Sequence, residues 1–426
     1  MRSRWLPLLV LLAACAGPNA QEKRAAVLSA SAASAERAGR VRTRLQGFVD
    51  RREASGFVWV VLKDGKRVHE GAVGSLDIEK SVPMRSDTIF RLASMTKPIT
   101  SVAVMMLLED GKVLLTDRLS KFIPAFKTML VASPVPGAPP VAAEREITIR
   151  DLLTHRSGLV YGFEEGPLSE AYRRAEVSDG LAVVEGTMAE NVARLATVPL
   201  ASQPGREFHY SLSVDVLGRV VEIASGMPLD AFFRDRIFLP LGMKDTGFSV
   251  PVDKWARLAT VYSPAEQGGL RPMKDPERFK GVVLSPVASY REPKKYFSGG
   301  AGLVSTADDY ARFCQMLLDG GEANGVRLLS RKSVELMTSP HTRDLKPGSV
   351  DPGVDFGLGF SVVTDVGATE GLGSQGSYGW GGVYGTVFWV DPQEHLVAVL
   401  MAQRFPHKDA PWGEAFSTAV YQALAP

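Results

Sequence analysis

Ser94 and Lys97 stand three residues apart at the mouth of an apolar run, Ile99-Thr100-Ser101-Val102-Ala103-Val104-Met105-Met106-Leu107-Leu108. On a helix, residues i and i+3 share a face, so the lysine amine would reach the serine hydroxyl. An alcohol is a poor nucleophile at neutral pH and needs a base beside it. The pair therefore points to acyl transfer through a serine ester. The run is apolar nearly all round, which predicts a helix buried in the core. Pro98 would fall in its first turn, where a missing N–H costs nothing, and Gly111 would end it. Backbone N–H groups at the start of a helix lack partners. The N–H of Ser94 is thus a candidate for half of an oxyanion hole. Burial would favour the neutral, proton-accepting form of Lys97. Ser-x-x-Lys is a short string, and its plain reading is a helix cap followed by a surface lysine.

Two other stretches could complete such a site. Tyr210, in Phe208-His209-Tyr210-Ser211, follows a turn at Pro204-Gly205 and precedes a helical pattern of Val214, Leu217, Val220 and Val221. A tyrosine presented there can enter a cleft, and a lysine cation beside it would favour phenolate, making Tyr210 a candidate base. Its plain alternative is a half-buried structural tyrosine, and His209 beside it reads as structural. The second stretch is Ser377-Tyr378-Gly379-Trp380-Gly381-Gly382-Val383-Tyr384-Gly385-Thr386. It leads into a β-rich run read as one strand from Val383 to Val390. Glycine weakens a strand unless something must approach the backbone closely, and a substrate is one such thing. Val383 N–H is the candidate second oxyanion donor. Trp380, with Gly381 and Gly382, would wall the substrate. A β-bulge around a packed tryptophan is the alternative.

The elements that must position these residues are legible in outline. Val41, Leu45, Phe48 and Val49 recur at helical spacing. Phe57 to Lys63, the turn Asp64-Gly65, and Lys66 to Glu70 read as a β-hairpin, with His69 at the surface. Val383 to Val390 and Leu396 to Arg404 form a second β-rich pair, and Pro411 to Leu424 a closing helix. Helical patterns and Pro/Gly-rich loops fill the middle. Val131 to Pro140 is a loop, and the long irregular stretch Pro251 to Tyr296 is expected to wall a site. The predicted fold is α/β (α+β): an antiparallel sheet from both chain ends, flanked by helices, with an inserted, mostly helical lobe. The α/β lobe would comprise residues 39–116 and 286–426, and the helical lobe 117–285. A cleft between them is the natural place for a site.

The 426 residues are 45% hydrophobic and 23% charged, a globular composition, and the net charge of +2 gives no case for a nucleic-acid partner. Arg2, Arg4, the apolar Leu6 to Ala14 and the small residues after them read as an export signal over 1–20. Leu12-Ala13-Ala14-Cys15 resembles a bacterial lipobox, which would lipidate Cys15 and give the only membrane attachment. Cleavage after Ala16 or Ala20 is the alternative. Residues 21–38 read as a tether. The expected location is the bacterial cell envelope. Cys314 lies in an apolar helical pattern and reads as a buried, inert thiol.

Taken together and in this order, Ser94-x-x-Lys97, Tyr210-Ser211-Leu212 and Trp380-Gly381-Gly382 resemble the serine β-lactamase and penicillin-binding superfamily. The nearest likeness is to its class C β-lactamase-like group and the family VIII carboxylesterases. Ile149 to Leu159, Leu200-x-x-x-Pro204-Gly205 and Ser298-Gly299-Gly300-Ala301-Gly302-Leu303 also look familial, with His155 as a structural residue meeting free carbonyls at a helix end. The resemblance implies Ser94 as nucleophile, Lys97 and Tyr210 as acid/base pair, and Ser94 and Val383 N–H groups as oxyanion donors. Two departures matter. Leu212, an expected substrate-site residue, stands where β-lactamases carry an asparagine that contacts substrate. Trp380 replaces a cationic residue that would pair with a substrate carboxylate. Both favour a small or short-chain neutral ester. Hydrolysis of β-lactams or D-alanyl-D-alanine peptides is the alternative, and a non-catalytic envelope binding protein a second. No metal or cofactor is implied. Gly-x-Ser-x-Gly and His-Glu-x-x-His are absent from the sequence. Gly371-Leu372-Gly373-Ser374-Gln375-Gly376 leads into a strand rather than a helix, so it does not read as a dinucleotide loop.

Overall fold

Gly56–Lys63 (β1) is apolar at nearly every position because both of its faces are covered. Val58 and Val60 point into one core; Phe57, Trp59 and Val61 point into another. The strand turns at Asp64-Gly65 into Lys66–Asp77 (β2), which Val82–Pro83 (β3) follows at the edge. The rest of the sheet comes from the far end of the chain: Val354–Phe356 (β4), Ser361–Val363 (β5), Tyr378–Gly381 (β6), Val387–Asp391 (β7) and Leu396–Met401 (β8). The order across the antiparallel sheet is β4-β5-β6-β7-β8-β1-β2-β3. Val58 faces Met401, and Lys63 faces Leu396. This computed structural model describes residues 39–424 apart from 134, 136, 164, 165, 184, 280, 346–350 and 370. The export signal, Cys15 and the tether at 21–38 lie outside the described residues.

A helix over 39–50 (α1) and Trp412–Leu424 (α6) cover one face of the sheet. The other face carries Thr96–Glu109 (α2) and Ala307–Leu318 (α5). All of α2 up to Leu107 is buried, lysine included, as a helix without a polar stripe must be. Ile149–Leu153 (α3) and Ser213–Ser225 (α4) lie in the middle of the chain and share α2's core. Cys314 on α5 is fully buried, and burial pushes its thiol well above the ordinary range.

The structure departs from the expected elements in two places. Val383 to Val390 is not one strand. The chain runs along β6, turns at Gly382-Val383-Tyr384-Gly385-Thr386, and returns along β7. Gly382 N–H donates to Thr386 O, and Gly385 takes a φ of +90°, which glycine adopts freely. The stretch Pro251 to Tyr296 is not structureless either. It holds a helical turn at Val252–Arg257 and two short hairpins, Tyr262–Pro264 with Leu270–Pro272 and Glu277–Phe279 with Val282–Leu284. Met273 and Leu284 from these hairpins pack with Ala93 and Tyr384, so the stretch braces both the serine turn and the β6–β7 turn.

Candidate active site

Ser94 sits in a 3-10 turn, Ala93–Met95, that runs directly into α2. Ala93 is held at a φ of +44°, a left-handed conformation that costs a non-glycine residue about 1 kcal/mol or more. The buried position of Ala93 between the hairpins and the sheet holds it there. Residues i and i+3 then meet as the spacing predicts: Lys97 Nζ lies 3.3 Å from Ser94 Oγ. Lys97 is only 1% exposed. Its amine also donates to Tyr161 Oη and to Gly300 O, each at 2.9 Å.

Tyr210 closes the other side, but not through its hydroxyl. Lys97 Nζ lies over the Tyr210 ring, 4.6 Å from its centroid, in cation–π geometry. The phenol oxygen instead accepts from Trp380 Nε1 at 3.3 Å. The phenol that touches Lys97 is Tyr161, a residue the three motifs do not contain. Burial, followed by the adjacent Tyr210, pushes Tyr161 well above a phenol's ordinary range, so Tyr161 keeps its proton. Its sequence signal is its place two residues beyond the familial segment Ile149 to Leu159.

His155 does not meet helix carbonyls. It is fully buried, at a φ of +54°, and its ring lies 4.8 Å from that of Tyr210. Ser211 N–H donates to its Nδ1 at 3.2 Å, which leaves the ring proton on Nε2. From Nδ1 a chain of buried hydroxyls runs through Ser211 and Ser213 to Ser157, whose oxygen accepts from Leu159 N–H. This network joins the segment bearing Tyr210 to the one leading to Tyr161. Burial, with the Lys97 charge adding, holds His155 well below its ordinary 6.5, so it is neutral. His209 points elsewhere, its Nε2 lying 3.3 Å from Glu207 Oε2 without an aligned hydrogen bond.

The β6–β7 turn supplies the remaining wall. A Cβ on Gly382 would stand 2.2 Å from Leu92 O, so only glycine lets this turn approach the serine turn so closely. Ser94, Tyr210, Trp380, Gly381, Gly382 and Val383 line one cavity of about 630 Å³, largely apolar and open to solvent. Among the described residues, neither Ser94 N–H nor Val383 N–H donates to a protein acceptor. Val383 O is held by His407 Nδ1 at 3.1 Å, a contact with no sequence signal. Leu212 is not a substrate contact. The start of α4 at Ser213 turns it into the core, where it is fully buried.

Comparison with known proteins identifies the family. The Beta-lactamase family model matches residues 41–416. The chain belongs to the β-lactamase family and is a serine hydrolase. Within this family it is 39% identical over 366 residues to Protein Rv1367c of Mycobacterium tuberculosis, covering 83% of this chain and 86% of that one. It is 35% identical over 380 residues to Esterase EstB of Burkholderia gladioli, covering 87% and 91%. Among solved structures, EstCE1, described as a hydrolase with promiscuous acyltransferase activity, superposes with a TM-score of 0.81 at 31% identity. The match covers 91% of this chain and 99% of EstCE1. EstCE1 thus shares the fold described above, and no helix among the described residues is long and apolar enough to cross a membrane.

Proposed function

We propose that this β-lactamase-family protein cleaves small or short-chain neutral carboxylic esters through an acyl-enzyme on Ser94. The observation that carries the reading is the 3.3 Å approach of Lys97 Nζ to Ser94 Oγ at the floor of an open, largely apolar cavity. In the free-amine state Lys97 takes the serine proton as Oγ attacks the ester carbonyl. The tetrahedral oxyanion forms against the N–H groups of Ser94 and Val383. Lys97 then returns the proton to the leaving alkoxide, with the Tyr210 ring lying against the amine. Water then repeats the sequence on the acyl-enzyme. Tyr161 stays protonated and holds the amine in place.

The third motif supports an ester over a β-lactam or a D-alanyl peptide. Both of those carry a carboxylate that needs a cation, and Trp380 presents an indole where the resemblance would put one. The names of EstB and EstCE1 favour the same choice. The N-terminal pattern of Arg2, Arg4 and the short apolar core supports export to the cell envelope. The test is a substrate panel run with the wild type and Ser94→Ala. p-Nitrophenyl acetate or butyrate is expected to turn over faster than nitrocefin or a D-Ala-D-Ala peptide. The reverse order would replace the esterase reading with that of an amide hydrolase.

A further inference from the structure

Lys97 is a buried amine, and the proton it receives from Ser94 makes it a buried cation. Such a charge is costly unless an opposite charge answers it. Behind Lys97, on the far side of the Gly300 peptide, lies Asp215 of α4, 1% exposed. Lys97 Nζ donates to Gly300 O at 2.9 Å, while the N–H of the same residue and the Lys97 charge both favour ionisation of Asp215. Ser298 Oγ donates to Asp215 Oδ1 at 2.6 Å, and Ala301 N–H donates into Ser298 Oγ at 2.9 Å, which leaves the serine proton free for the carboxylate. The other oxygen, Oδ2, is buried without an aligned hydrogen-bond partner. A Cβ on Gly300 would stand 2.3 Å from Oδ2, so glycine is what allows the carboxylate so close to this peptide. The loop is clamped from α2 as well, with Thr100 Oγ1 donating to Gly299 O at 2.6 Å and Leu303 N–H donating to Thr96 Oγ1 at 3.1 Å.

We infer that Asp215 is a positioning residue for Lys97: through the Ser298–Gly302 loop it fixes the amine toward Ser94, and its carboxylate is the counter-charge for the ammonium formed when Ser94 is deprotonated. The inference rests on the serine-hydrolase mechanism proposed above. Burial is the largest influence on the Asp215 carboxyl and leaves it raised overall, while the Ser298 hydroxyl, Lys97 and the Gly300 N–H oppose that rise. The other groups facing this pair are phenols and a neutral imidazole: Tyr161 and Tyr296, both raised by burial, Tyr210 under the amine, and His155. Asp179 also raises Tyr161 and Tyr296.

The test is the pH dependence of kcat/KM for p-nitrophenyl acetate in Asp215→Asn, whose amide can still accept from Ser298. Removing the negative charge disfavours the ammonium, so Lys97 loses its proton at lower pH. The acid limb of the profile is expected to move down by about one pH unit, the usual effect of a nearby opposite charge. The plateau is expected to fall about tenfold as the amine becomes a weaker base. A lower plateau with an unmoved acid limb would make Asp215 merely structural and overturn the inference. Should Asp215→Asn fail to fold, Ser298→Ala removes the donor to Oδ1 and is expected to move the limb the same way by less. An unmoved limb there also overturns it. A wild type lacking Ser94-dependent turnover would instead defeat the hydrolase reading itself.

Discussion

The two sides of the proposed active site are built on opposite principles. On the lysine side, Lys97, Asp215, His155 and the Ser157–Ser211–Ser213 chain are all buried, and fixed hydrogen bonds between α2, α4 and the Ser298–Gly302 loop tie them together. On the hairpin side, Trp380, Gly381, Gly382 and Val383 face an open cavity, and among the described residues the Val383 N–H is left without a protein partner. Proton transfer needs a dry, preorganised floor, because charges inside it must not reorganise solvent. A substrate wall must instead be reachable and tolerant in shape. The contrast implies that changes on the floor reduce kcat, whereas changes on the wall alter KM.

The largest effect is expected from Ser94→Ala, which should lower ester turnover by about 10³-fold or more. Its melting temperature should stay near that of the wild type, since a half-exposed hydroxyl contributes little to packing. Paired activity and melting measurements check both parts. Lys97→Ala removes the proposed base and is expected to cost about 10²- to 10⁴-fold in kcat. Loss of stability with kcat preserved would erase the distinction between floor and wall. Tyr161→Phe removes one acceptor from Lys97 while keeping the ring, so steady-state kinetics should show kcat falling about tenfold with KM little changed. Trp380→Ala opens the wall and should raise KM several-fold for butyrate esters while changing kcat less. The opposite pattern in these two variants would break the comparison.

A smaller effect concerns stability. His155 is held neutral in the folded protein and titrates near 6.5 once unfolded. Below that pH the unfolded chain binds a proton that the folded one refuses, so stability falls as pH falls. The slope is about 1.4 kcal/mol per pH unit for one proton. Denaturant unfolding from pH 7 to pH 5 should show a shallower slope in His155→Gln than in the wild type.

What could be read in the sequence follows from locality. The Ser94–Lys97 pair lies within one helical turn, so its geometry was fixed by spacing alone. The two-faced burial of β1 could be read from its unbroken apolar run. Residues that meet the site from elsewhere gave no comparable signal. Tyr161 reaches Lys97 from a loop, His407 holds Val383 O from the segment before α6, and Asp215 works through a peptide of another loop. The single strand predicted from Val383 to Val390 was misread because apolar residues on both sides of the Gly382–Thr386 turn hid the reversal. Leu212 was expected at the substrate because it follows Tyr210 by two positions, but the start of α4 rotates it inward.

The pairing of β1 with β8 has a consequence for assembly. An interior ladder of the sheet joins Val58 to Met401, so the earliest and latest strands of the sheet to be synthesised must find each other. Contacts this distant along a polymer close slowly. Until β8 arrives, β1 exposes an unpaired edge of valines and tryptophan, a template for mispairing. Deleting the segment from Leu396 onward should therefore yield aggregates rather than a smaller folded enzyme.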